Sequence, residues 1–88
     1  MAHDPLQPEL FPDQLFLKRI DPENNMRRFY MMTVQRDLFG QSALVTEYGR
    51  IGQAGRVQVA YLKDEAQALG ALADKADAKR RRGYQECL

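Results

Sequence analysis

Apolar positions divide the chain into four strand-like runs followed by one helical run. "QLFLKRI" (Gln14 to Ile20) reads as a first strand. "DPENN" then supplies turn chemistry, because Asp-Pro starts a turn and asparagine tolerates positive φ. "MRRFYMMTVQRDL" is a longer strand in which Phe29, Met31 and Thr33 share one face and Tyr30, Met32 and Val34 the other. Both faces are apolar, which predicts a central strand. "DLFGQS" is a turn with Gly40 as its flexible point, and "SALVTEYGRI" is a third strand. "GQAG" is the next turn, its glycines expected to supply positive φ. "RVQVAYL" is a fourth strand, with Val57, Val59 and Tyr61 on one face.

The period then changes. "DEAQALGALADKADAKRRRGY" reads as a helix with Asp64 as N-cap and Gln67 at the capping-box position. Ala66, Leu69, Leu72, Ala73 and Ala76 follow helical spacing and are the predicted sheet-facing stripe. Lys79 to Arg82 complement the negative end of the helix dipole, Gly83 is a natural C′ residue, and Tyr84 can fold back on the helix. Sequential strands with short turns imply an antiparallel sheet of about four strands. The fold class is α+β, with the C-terminal helix covering one face. The other face is expected to keep many of the arginines and to have no cover. Residues 1–13 hold Pro5, Pro8 and Pro12 and read as a flexible, extended arm, with Leu10 and Phe11 able to dock on a partner. Residues 14–88 form the domain.

Composition adds limits. At 88 residues the chain is one small domain of ordinary apolar and charged content. No apolar run is long enough to span a bilayer, so no membrane partner is expected. The first residues lack the basic and apolar regions of a secretory signal, and a cytoplasmic location is the expectation. Cys87 is the single cysteine, so there is no internal disulfide and no metal-binding cysteine spacing.

Net charge is only +1, but it is unevenly spread. Residues 14–63 hold eight Lys and Arg against four Asp and Glu, and the tail from Lys79 holds four against one. The first 13 residues are acidic, as is the early helix. A basic face of this kind can bind phosphate although the chain as a whole is nearly neutral, and equally can be a solvated surface.

Catalytic chemistry is absent from the pattern. His3 is the only histidine and lies in the arm; Ser42 is the only serine and has no histidine in reach. Neither a nucleophile–base pair, a metal site nor a cofactor motif is suggested, so the protein is not expected to be an enzyme. "TEYGRIGQAGRVQ" is neither a P-loop nor a dinucleotide fingerprint, because no Lys-Ser/Thr pair follows and no helix opens. Its glycines suit a hairpin turn. Turn geometry does not require Arg50 and Arg56, and two guanidiniums near exposed amides can grip a phosphate. Tyr48 is either a core aromatic or a stacking platform. Lys79, Arg80 and the arginines after them either complete the helix end or add to a phosphate-contacting patch. Met26, Met31 and Met32 read as core filler.

"EYGRIGQAGRVQ" resembles the signature of the WGR domain, and the likeness runs in order through "NNMRRFYMMTVQRDLFGQSALVTEYGRIG" and "LKDEAQALGALADKADAKRRRGY", roughly residues 15 to 85. WGR domains occur beside the catalytic region of DNA-dependent poly(ADP-ribose) polymerases and in small bacterial proteins. The resemblance implies an antiparallel sheet with a helix. It also implies nucleic-acid binding, with DNA and strand breaks as the family's target. By the same resemblance, Tyr48, Gly49 and Arg50 stand at the motif positions, the aromatic ring packing on a nucleotide and the arginine making polar contacts. Tyrosine replaces the motif tryptophan and offers less stacking area. The predicted nucleic-acid-binding set is Tyr48, Gly49, Arg50, Arg56, Lys79 and Arg80. The alternative is a protein-interaction module in which Arg50 pairs with a carboxylate on another chain.

Overall fold

The computed structural model describes residues 13–87. The arm's predicted behaviour, including docking by Leu10 and Phe11, falls on residues 1–12 and lies outside the described residues. The element order is β1 (Gln14–Asp21), a short 3-10 turn (Pro22–Asn24), β2 (Met26–Arg36), β3 (Ser42–Arg50), β4 (Arg56–Leu62), α1 (Glu65–Arg81) and β5 (Gln85–Glu86). All neighbouring strands pair antiparallel, in the order β4-β3-β2-β1-β5. The α+β prediction holds, and β2 is central as its two apolar faces require. The fifth strand was not expected. Two residues are too few to show a strand period, and β5 exists because the tail returns along β1, opposite Leu17 and Lys18.

The register carries one row of side chains from strand to strand. Leu17 lies opposite Tyr30, which lies opposite Tyr48; Leu15 meets Met32, which meets Thr46. This is the helix-covered face. Leu15, Leu17, Met32, Val34 and Leu44 pack there against Ala68, Leu72 and Ala76. Burying a side chain such as Leu17 or Leu72 contributes about 1.5–3 kcal/mol, so these contacts fix how the helix sits. The stripe differs from the predicted one. Leu72 and Ala76 belong to it and Leu69 packs beside it, but Ala68 replaces Ala66, which is exposed. Alanines at many helical angles leave the period ambiguous; the sheet's shape decides which of them is pressed inward.

Both helix ends are closed as their residues predict. The Asp64 carboxylate accepts from the Gln67 N–H at 2.8 Å, while the Gln67 side chain accepts from the Lys63 N–H at 3.2 Å. At the other end Gly83 has φ +94°, its N–H donates to Arg80 O, and the Tyr84 N–H donates to Lys79 O. These two bonds are a Schellman motif, and they turn Tyr84 back over the sheet, where it is buried.

The two glycines of the β3–β4 turn do different work. Gly52 has φ +89°, as expected of a turn glycine. Gly55 does not have positive φ, contrary to prediction. A Cβ on Gly55 would lie 2.9 Å from both Phe29 Cζ and Tyr48 O, and one on Gly49 would lie 3.1 Å from Gly55 Cα. These two positions are glycine because the turn is pressed onto the Phe29 ring.

Apart from Arg27, which shares the face of Phe29, the strand arginines lie on the opposite face from the one expected. Arg19, Arg28 and Arg50 continue the rows of Leu17, Tyr30 and Tyr48 on the helix side, past the point where the helix ends. The uncovered face is mainly apolar instead. It carries the stacked rings of Phe16 and Phe29 and the exposed Val57, Val59 and Tyr61.

Candidate functional site

One end of the sheet forms a cleft of about 540 Å³ lined by Arg19, Arg28, Phe29, Tyr30, Tyr48, Gly49, Arg50, Lys79, Arg82 and Tyr84. Its floor is aromatic. Tyr30 and Tyr48 lie opposite each other on β2 and β3 and stack, centroids 5.1 Å apart and rings 13° from parallel. Tyr84, delivered by the helix cap, meets Tyr30 edge-on at 5.6 Å. Lys79 Nζ sits 4.1 Å from the Tyr30 ring centroid and 5.8 Å from that of Tyr84. Such a cation–π contact contributes about 0.5–2 kcal/mol and holds the ammonium at the cleft rather than in bulk water.

The rim is cationic, and the cleft lining includes no acidic residue. Arg19, Arg28 and Arg50 occupy corresponding positions on three neighbouring strands, since Arg19 pairs in register with Arg28 and Arg28 with Arg50. Like charges directly opposite one another destabilise a sheet. Among the described residues no salt bridge engages Arg19, Arg28, Arg50, Lys79 or Arg82. A bound anion would remove that repulsion.

Arg50 is positioned by the β1–β2 turn. Its Nη1 donates to Asn25 O at 3.2 Å and its Nη2 to Asn25 Oδ1 at 3.3 Å. Asn25 can offer both oxygens because it is left-handed, with φ +52°. Two of the guanidinium's five N–H donors are thus used for orientation, and three remain. The same turn is braced by Asn24, whose amide donates to Asp21 at 2.8 Å and holds that carboxyl below its ordinary range, with Arg19 a lesser contributor.

The predicted site residues divide. Tyr48, Gly49, Arg50 and Lys79 line the cleft. Arg56 pairs in register with Tyr48 but does not line it, and Arg80 is tied to Asp77 at 3.2 Å and Glu86 at 3.5 Å. Arg19, Arg28, Tyr30 and Tyr84 line the cleft without having been predicted as site residues, and Arg82 lines it although the sequence placed it only in the basic patch at the helix end. Alternation along β1 and β2 puts Arg19 after Leu15 and Leu17, and Arg28 before Tyr30 and Met32, on one face. That signal was present, but only the strand register shows that the two arginines meet.

Comparison with known proteins follows this geometry. The family model described as the WGR domain matches residues 13–87, and the matched family is a non-catalytic module associated with DNA binding in general. The uncharacterized protein y4dW of Sinorhizobium fredii (strain NBRC 101917 / NGR234) is 38% identical over 74 residues, which cover 84% of this chain and 36% of that relative. The chain therefore spans little more than a third of that relative's length. No solved structure matches.

Proposed function

The chain belongs to the WGR domain family, and on that premise we propose that it is a non-enzymatic module that binds nucleic acid, DNA foremost, in the cationic tyrosine cleft. One observation carries this reading: Arg19, Arg28, Arg50, Lys79 and Arg82 converge, without salt bridges among the described residues, around Tyr30, Tyr48 and Tyr84. Unpaired guanidiniums beside aromatic rings suit a polymer whose backbone is anionic and whose bases stack. Arg50 offers its free N–H groups to phosphate, with Arg19, Arg28 and Arg82 around it. One face of the Tyr48 ring is taken by Tyr30, so the rest of the ring packs on a sugar or base. Lys79 supplies charge at the floor. Arg56 and Arg80 lie outside the cleft and add only to the surrounding field.

The test is a salt titration with blunt, nicked and single-stranded DNA. If five cations each neutralise one phosphate of duplex DNA, the logarithm of the binding constant falls with a slope of about −4 to −5 against the logarithm of salt. Arg50→Ala and Tyr48→Ala should each weaken binding. Absence of binding at low salt, or binding unchanged in both variants, overturns the reading.

A further inference from the structure

The cleft has the dimensions of a small-molecule site. Its volume of about 540 Å³ falls within the roughly 300–1,000 Å³ of pockets that hold drug- and cofactor-sized ligands. Its aromatic floor has room for one further ring. Tyr84 is buried, and Tyr30 is engaged by the Tyr48 ring, by the edge of Tyr84 and by Lys79. Tyr48 is half-buried, and its one ring contact among the described residues is with Tyr30. The floor therefore receives one base and not a stack of them.

The cations exceed what one nucleotide of a polymer needs. Arg19, Arg28 and Arg50 stand on three neighbouring strands, and such strands lie about 4.8 Å apart. Arg19 is seated against the helix end, its Nε 3.4 Å from where a Cβ on Gly83 would stand. Lys79 and Arg82 add two more charges from that end. Each nucleotide of a nucleic-acid strand brings one backbone charge, and a sugar separates it from the next. Phosphates linked through a shared oxygen lie closer together, each adds charge, and the terminal group alone carries about −1.5 to −2. Arg50 stands two residues along β3 from Tyr48, about 7 Å, which is room for a ribose between a base and a phosphate chain.

We infer that the cleft takes a free nucleoside polyphosphate, its base on Tyr48 and its linked phosphates along Arg19, Arg28 and Arg50, and that this ligand competes there with nucleic acid. The inference rests on the reading above only in taking this cleft as the phosphate site. No carboxylate lines the cleft to share a metal ion with the phosphates. The ligand is therefore held as the free anion, and magnesium competes with the arginines for it.

Isothermal titration calorimetry on the full chain, at low salt with a chelator present, compares adenosine, its mono-, di- and triphosphates and inorganic triphosphate. Adenosine should not bind detectably. Affinity should rise about fivefold or more with each added phosphate, and the nucleoside triphosphate should reach a dissociation constant on the order of 10–100 μM. Inorganic triphosphate, with no base to stack, should bind roughly fivefold or more weakly. Tyr48→Leu should abolish that difference. Arg28→Gln should weaken both triphosphates about tenfold, whereas Arg36→Gln, which removes the same charge outside the cleft, should leave both unchanged. Arg28→Gln also relieves repulsion within the sheet, so it serves if Tyr48→Leu fails to fold by circular dichroism. Excess magnesium should weaken binding. The inference is overturned by no binding of the nucleoside triphosphate at millimolar concentration, by equal affinity for mono- and triphosphate or for the nucleotide and inorganic triphosphate, by equal losses in Arg28→Gln and Arg36→Gln, or by binding that requires magnesium. Failure of the saturating triphosphate to displace DNA that the chain binds, read by fluorescence anisotropy, overturns it as well. DNA binding without nucleotide binding sinks this inference and leaves the nucleic-acid reading standing; nucleotide binding without DNA binding does the reverse.

Discussion

Arg28 and Arg36 lie eight residues apart on β2, both on the helix side of the sheet, in opposite electrostatic settings. Arg36 donates to Glu65 at 2.7 Å and lies 3.7 Å from Asp13, so it ties the start of the helix to the start of the first strand. Arg28 lies in register with Arg19 and Arg50 and has no salt bridge among the described residues. The residue type is the same, and so is the strand. Partners separate them: a cation already answered by carboxylates holds the fold, while cations held together without carboxylates leave their charge for a ligand. The aromatic floor follows the same division. The Arg36 end of the helix-covered face packs aliphatic side chains such as Leu44 and Leu72, whereas the Arg28 end packs three tyrosines.

Charge reversal is the strongest way to break this comparison. Arg28→Glu should reduce DNA affinity about a hundredfold at low salt, through a lost phosphate contact and an added repulsion. Arg36→Glu should leave affinity nearly unchanged in the same assay. Equal losses would show that binding follows net charge and not the cleft.

The turn that seats Tyr48 and Arg50 supplies the next largest effect. Gly55→Ala drives a Cβ against Phe29 and the Tyr48 carbonyl and should destabilise by about 1–3 kcal/mol. Gly52→Ala meets no neighbouring atom but keeps φ +89°, and should cost about 1 kcal/mol. Thermal unfolding of the two variants checks the order. The reverse order would mean that the turn does not rest on Phe29.

A smaller effect separates positioning from contact. Asn25→Gly keeps a left-handed backbone and the carbonyl but removes the side-chain oxygen that Arg50 Nη2 uses. Affinity should fall several-fold while the salt slope stays the same, because no phosphate contact is removed. Arg50→Ala should instead lower the slope by about 1. The two slopes, measured side by side, decide the matter.

The smallest effect is on pH. The Arg36 hydrogen bond holds the Glu65 carboxyl below its ordinary value. A carboxylate whose folded pKa is depressed contributes stability above its unfolded pKa and loses it as pH falls through the folded one. Acid unfolding should therefore include a slight loss below the ordinary glutamate range that disappears in Glu65→Gln. Both groups are exposed, and solvent keeps the effect small.

Much of the fold was legible before the structure because its causes are local. Strand alternation, the Asp64 cap and the Gly83 terminator each depend on a few neighbouring residues. The helical stripe was misplaced at Ala66 because alanine marks no face by itself. The fifth strand was missed because Gln85 and Glu86 form it only through the return of the tail to β1. For the site, the WGR-like stretch pointed to Tyr48 and Arg50. It gave no means of separating Arg56 and Arg80 from Arg19, Arg28 and Arg82.

The chain by itself determined the four long strands and the helix, which strand is central, and that a cationic aromatic motif sits at the end of β3. The tertiary structure alone decided which cations share a site. Local periodicity assigns a side chain to a face. It is register between strands distant in sequence that brings Arg19, Arg28 and Arg50 into one row, and the helix's point of termination that leaves that row uncovered.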